Sequence, residues 1–196
     1  MQVPLIDAVI ANDYDRVRDM VASGVDLEYR DENGRTPLLI AVTANNIEIA
    51  RVLMEAGADV NAQDEIKDSA YLLAGARGYN EILAMTLDHG ADLTSTNRYG
   101  GTALIPACER GHVETVKLLI DAGVDVNHVN NLGWTGLMEA IVLSEGGDDH
   151  VQIVKLLLDA GADASIADKD GVTPLQHAQD RGYKRIATLL DGVGAK

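Results

Sequence analysis

Residues 31–63 read DENGRTPLLIAVTANNIEIARVLMEAGADVNAQ, and their landmarks return along the chain at a fixed interval. A glycine follows each apolar run, at Gly24, Gly57, Gly90, Gly123, Gly161 and Gly194, with gaps of 33, 33, 33, 38 and 33. A second landmark opens each run of small and apolar residues, at Val3, Thr36, Ser69, Thr102, Thr135 and Thr173, with gaps of 33, 33, 33, 33 and 38. Both landmarks give one period, and together they place a single insertion of five residues between Thr135 and Gly161. Self-similarity at this spacing is the signature of a stacked repeat array.

The plan within each repeat follows from residue chemistry. Turns such as DENG and DKDG reverse the chain, with Gly34 or Gly171 supplying permissive backbone. Thr36-Pro37 and Thr173-Pro174 start a short helix, with proline where a missing N–H costs little. A second helix carries apolar residues at helical spacing, as in Val113, Val116, Leu119 and Ile120. It stops at glycine, the favoured residue just past a helix end. One such repeat cannot bury its own apolar face, but stacked neighbours can.

These residues resemble the ankyrin repeat family. The resemblance is carried by DENGRTPLLIAV with IARVLMEAGADVNAQ, by GHVETVKLLIDAGVDVN, and by IVKLLLDAGADASIADKDGVTPLQHA. DSAYLLAGARGY and NRYGGTALIPACERGH further resemble a bacterial branch of it. The resemblance covers essentially the whole chain and implies an all-α repeat solenoid of stacked helix pairs with β-hairpin-like fingers. On this frame residues 1–196 form a single domain of six repeats, at about 1–30, 31–63, 64–96, 97–129, 130–167 and 168–196. An incomplete first repeat caps one end, and a polar last helix with Lys184 and Arg185 caps the other.

The chain departs from the family pattern in places. The family's TPLH histidine position holds Ile6, Leu39, Leu72, Ile105, Met138 and Gln176. An aliphatic stack is therefore expected in five repeats of six. The third repeat has Lys67 for its turn glycine and Ser69-Ala70 for Thr-Pro. Pro106 falls inside a first helix, where it is expected to bend or loosen a turn.

Composition narrows the function. Sixteen Lys+Arg stand against 31 Asp+Glu, for a formal charge of −15. Such a surface repels phosphate backbones and anionic lipid, so neither nucleic acid nor membrane is an expected partner. A basic patch on another protein is the overall electrostatic match. With Cys108 as the one cysteine, neither an intramolecular disulfide nor a Cys-rich zinc site can form. No apolar run reaches membrane-spanning length. The chain is expected to be a cytoplasmic monomer, or periplasmic or secreted if a leader preceded residue 1.

The stretch VLSEGGDDHVQ (142–152) gathers Glu145, Asp148, Asp149 and His150 around two glycines, as a metal loop would. Calcium needs six to eight oxygens in a defined order, and the run lacks that spacing. It reads as the inserted, solvated connection between the helices of the fifth repeat, with His150 in the slot of His112. DENG and DKDG imitate calcium loops, but the first ligand positions are Tyr29 and Ile166 and the last are Ile40 and His177. Apart from His112 and His150 the histidines occupy different repeat positions and do not converge, and Cys108 shares its position with Val42, Gly75, Ile141 and Gln179, as a packed residue would. No catalytic residue, metal or cofactor is assigned.

By resemblance, partners meet the finger tips and the exposed side of the first helices, which together form the concave face. Carried over position by position, the candidate partner-binding residues are Arg35, Ile66, Arg77, Arg98, Tyr99, Glu109, Arg110, Leu132 and Trp134. Trp, Tyr and Arg dominate interface hot spots, and the single tryptophan sits on a finger. The bland alternative is that Tyr99 and Trp134 cover neighbouring turns. The expected function is a non-catalytic scaffold binding another protein. The alternative is an inhibitor or immunity-type protein that blocks a basic active site.

Overall fold

Thr36 shows how each repeat is started. Its Oγ1 accepts the Leu39 N–H at 3.2 Å, its carbonyl accepts the Ile40 N–H at 3.0 Å, and Pro37 takes the first helical position. Such a cap satisfies end donors that the helix itself cannot. Ser69, Thr135 and Thr173 repeat the side-chain bond, to the amides of Leu72, Met138 and Gln176.

The structure, a computed structural model, describes residues 4–194. Twelve helices are present among these residues, in six pairs. They are α1 (Pro4–Ile10) with α2 (Tyr14–Ala22), α3 (Pro37–Thr43) with α4 (Ile47–Glu55), and α5 (Ala70–Arg77) with α6 (Asn80–Asp88). Then follow α7 (Leu104–Glu109) with α8 (Val113–Asp121), α9 (Gly136–Val142) with α10 (Asp148–Asp159), and α11 (Pro174–Asp180) with α12 (Lys184–Gly192). The fold is an all-α repeat solenoid. Two compact units divide it, Met1–Ala74 with Tyr79–Asp92, and Gly75–Gly78 with Leu93–Lys196.

In unit 1, α1 packs on α3, α2 on α4, and α4 on α6. In unit 2, α7 packs on α9 and α9 on α11, while α10 packs on both α8 and α12. The inner first helices, such as α3 and α9, are buried nearly all round, whereas the second helices bury one stripe, as in Ile49, Ala50, Leu53 and Met54. That difference follows from position: a first helix lies between two neighbours and its own partner, and a second helix faces solvent on its outer side. Ile6, Leu39, Leu72, Ile105 and Met138 are all buried and Gln176 is exposed, so aliphatic side chains take the family's histidine position in the core of each unit, as the resemblance implies.

Pro106 does not loosen its helix; it tightens the entrance. Lacking an N–H, it cannot make the bond that Ile40 makes to Thr36 O. The Thr102 carbonyl instead takes the Ile105 N–H at 3.3 Å, a shorter-range turn, and α7 begins two residues past Thr102. The Ile105 amide is then unavailable to the Thr102 hydroxyl, which is buried without a protein hydrogen-bond partner. One proline explains all three departures from the other repeats.

The insertion also divides differently from the expectation of a lengthened connection. The connection before α10 runs over 143–147, against 44–46 before α4, and α10 has twelve residues against nine. Three of the five extra residues therefore extend the helix. Asp148 and Asp149 lie in its first turn, where carboxylates are favoured by the helix dipole, and Asp148 pairs with Arg185. The Tyr183 hydroxyl donates to the Ser144 carbonyl at 2.7 Å and ties the loop to the last repeat.

Lys67 stands where Gly34, Gly100, Gly133 and Gly171 make the same turn, and it adopts the same left-handed backbone at φ 62. A side chain there strains the turn. Ala70 opens α5 at the position that Pro37 and Pro174 fill elsewhere. The double change Lys67→Gly, Ala70→Pro is expected to stabilise the protein by about 1 kcal/mol in chemical denaturation. Destabilisation would show that this repeat start is locked by its own packing.

Candidate partner-binding surface

Each finger is built on one side chain that accepts two amides. Asp31 Oδ1 takes the N–H groups of Asn33 and Arg35, and Asp64, Asn97, Asn130 and Asp168 do the same for their own turns, at 2.8–3.1 Å. The turn closes with two backbone bonds, from Asp31 N–H to Arg35 O and from Gly34 N–H to Asp31 O, each at 3.0 Å, and their equivalents. Those two bonds make a hairpin-like finger without a strand ladder among the described residues.

This geometry sorts the finger positions. The tip position holds Asn33, Ile66, Tyr99, Leu132 and Asp170, and all five are exposed; Ile66 is 48%, Tyr99 56% and Leu132 50% accessible. Two residues on, the position of Arg35, Asp68, Gly101, Trp134 and Val172 is half-buried or buried. Trp134 is thus not the exposed anchor its place on a finger suggests. Its N–H donates to Asn130 Oδ1 at 3.1 Å and its carbonyl accepts the Asn130 N–H at 3.0 Å, so the side chain leaves from the finger's base. Arg35 sits likewise in unit 1, half-buried and paired with Asp31 at 2.7 Å.

Of the residues singled out from the sequence, Arg35 and Ile66 belong to unit 1 and the other seven to unit 2. Within unit 2 the fingers of repeats four and five are side by side, because the Asn131 N–H donates to the Tyr99 carbonyl at 2.9 Å. The Arg98 guanidinium lies 4.8 Å from the Tyr99 ring centroid, a cation–π contact. His128 Nε2 lies 2.7 Å from the Gly100 carbonyl and steadies the same finger.

Arg110 has a structural task as well. It follows α7, and its Nη1 donates to the Ala76 carbonyl at 2.5 Å, fastening the end of α7 beside Arg77. Arg181 does the same at the end of α11, reaching the Val142 carbonyl at 3.2 Å. Replacing Arg110 is therefore expected to cost some stability, by loss of a hydrogen bond to a helix-end carbonyl.

Glu139 is the residue that sequence reading passed over. It stands where Ile40, Leu73 and Pro106 stand in other repeats, and it is 6% exposed. Asn130 Nδ2 donates to its Oε1 at 2.7 Å, so the side chain that shapes the Leu132 finger is itself anchored by a buried carboxyl. Burial first, then the nearby Glu109, pushes the Glu139 carboxyl up to about 7, against the pull of the Asn130 bond and Arg110. A charged residue inside the apolar run LMEAIV is the signal that could have found it.

The histidines stay dispersed. His89 Nδ1 meets the Met85 carbonyl at 2.8 Å, His150 Nε2 the Glu109 carbonyl at 3.0 Å, and His177 Nε2 the Asp168 carboxylate at 2.7 Å. That contact holds the Asp168 carboxyl below its ordinary range. Burial lowers His112, with Arg110 adding to the effect. Cys108 is fully buried, and burial pushes its thiol well above the usual range, so the nucleophilic thiolate is not formed near neutral pH. Among the described residues no helix is long and apolar enough to cross a membrane.

Comparison with known proteins agrees with the repeat frame. A family model described as ankyrin repeats (3 copies) matches residues 2–64 and 71–168. Its gap falls on the finger with Lys67. The crystal structure of an ankyrin repeat domain from Acinetobacter baumannii AYE is 61% identical, with TM-score 0.97 and 98% of each chain covered. A second ankyrin repeat protein is 45% identical, with TM-score 0.93 and 96% of each chain covered. The ankyrin repeat domain of Bcl-3, described as a unique member of the IkappaB protein family, is 29% identical with TM-score 0.88, covering 100% of this chain and 87% of that one. A search of curated proteins gave no match. With the family model spanning most of its length and the same stack of helix pairs and fingers throughout, the chain belongs to the ankyrin repeat family.

Proposed function

We propose that this protein is a non-catalytic scaffold that binds another protein through the fingers of repeats four and five and the first-helix ends of repeats three and four. The observation that carries the reading is the pair Tyr99 and Leu132, two large apolar side chains standing exposed at adjacent tips. Stacking does not cover them, and a guanidinium already lies over one of them. Exposed aromatic and apolar side chains beside arginine are the composition of interface anchors. The fold supports the reading, since ankyrin repeat domains generally mediate contacts between proteins.

Alanine at Tyr99 and Leu132 is expected to leave the melting temperature nearly unchanged and to weaken partner binding by about 2 kcal/mol or more. Substitutions of Glu55, Asp121 and Asp159, on the second helices, should do neither. Calorimetric melting and titration of the variants against a captured partner measure both. Undiminished affinity in the tip variants would move the site to another face.

A further inference from the structure

The fingers of repeats four and five differ from the rest in charge. Asp31 and Glu32 stand in the second repeat, Asp64, Glu65 and Asp68 in the third, and Asp168 and Asp170 in the sixth. Residues 97–101 and 130–134, NRYGG and NNLGW, contain no carboxylate. Turn geometry does not demand this. Asn97 and Asn130 accept the same two amides, at the same distances, as Asp31, Asp64 and Asp168 do. At residue 97 the neutral side chain has been used where the charged one would make the same turn, in a protein of net charge −15. At residue 130 the amide also serves Glu139, to which an aspartate could not donate.

Three arginines accompany these two fingers. Arg98 stands on the first of these fingers, and Arg77 and Arg110 occupy equivalent positions at the ends of successive first helices, joined through the Ala76 carbonyl. All three are exposed. The acid on this face is Glu109, half-buried beside Arg110, while Glu139 is buried and bonded to the buried Asn130.

We infer that this surface of unit 2 docks an extended, acidic segment of a partner protein, with its carboxylates on the arginines and its apolar side chains on Tyr99 and Leu132. The sign is opposite to what the whole-chain charge suggests. Geometry gives the spacing. Packed helices repeat at roughly 8–10 Å, and an extended chain advances about 3.3 Å per residue, so every third residue meets an equivalent position. The segment recognised therefore carries Asp or Glu at three-residue intervals, interleaved with apolar residues. This inference rests on the binding surface proposed above and adds the class of partner to it.

A displayed library of random unstructured peptides, selected on the full chain, tests it. Enrichment of acidic residues at three-residue spacing is expected. Binding of the selected peptides should fall about tenfold or more in Tyr99→Ala and in Arg77→Glu, and should weaken with added salt. Circular dichroism and melting of each variant establish that it is folded. Selection of basic peptides, strengthened by Arg77→Glu, would overturn the acidic class while leaving the surface in place. Peptides indifferent to both substitutions would show that binding lies elsewhere, and the surface itself would fail. Absence of any consensus overturns the inference.

Discussion

Replacing Glu139 with glutamine is expected to raise stability by about 2 kcal/mol near pH 8 and to change it little near pH 4. The carboxyl is held up to about 7 because burial penalises its anion and Glu109 repels it. In the unfolded chain it titrates near its ordinary value of 4.5. Between these values the folded chain keeps a proton that the unfolded chain has released. Stability from this group is therefore fully present below about pH 4.5, falls as pH rises, and levels off above about 7. Glutamine keeps the acceptor for Asn130 and removes the charge that burial opposes. Urea denaturation of both proteins across pH gives the difference directly, with other carboxylates cancelling. An equal effect at both ends of the range, or destabilisation near pH 8, would mean that Glu139 is satisfied as an anion.

Met138→Ala is expected to cost about 2–5 kcal/mol, as truncation of a fully buried methionine does. Met138 fills the position that the family gives to histidine, and α9 packs between α7 and α11, so little can collapse into the space left. Gln176→Ala, one repeat later at the same position but exposed, should fall within about 0.5 kcal/mol of the parent. The pair separates a core position from the repeat position as such. A loss below about 1 kcal/mol at Met138 would mean that the aliphatic stack is not what holds unit 2 together.

The repeat frame was legible because glycine, threonine and proline mark it through backbone geometry, which tertiary context rarely overrides. Gly57 and its equivalents all take positive φ at helix ends, and Thr36, Thr135 and Thr173 all cap. What escaped the sequence depends on contacts that the repeat pattern does not encode, some with neighbours in the next repeat. Asp148 and Asp149 read as loop because they are polar, yet a helix N-terminus tolerates them and Arg185 of the next repeat fixes one. Arg110 read as a free surface cation because the Ala76 carbonyl that it holds belongs to another helix. Trp134 read as a tip because the finger's inward and outward positions are set by which amides Asn130 binds. Glu139 went unread because only packing decides that its helix face is buried.

Hydrogen exchange of the protein alone and with a bound partner is the measurement closest to the central claim, that the fingers of repeats four and five and the first-helix ends of repeats three and four are the binding surface. Added protection is expected at residues 97–101 and 130–134 and at the ends of α5 and α7, with α8 and α10 unchanged. Protection confined to α8 and α10, with both fingers exchanging as freely as before, would contradict it.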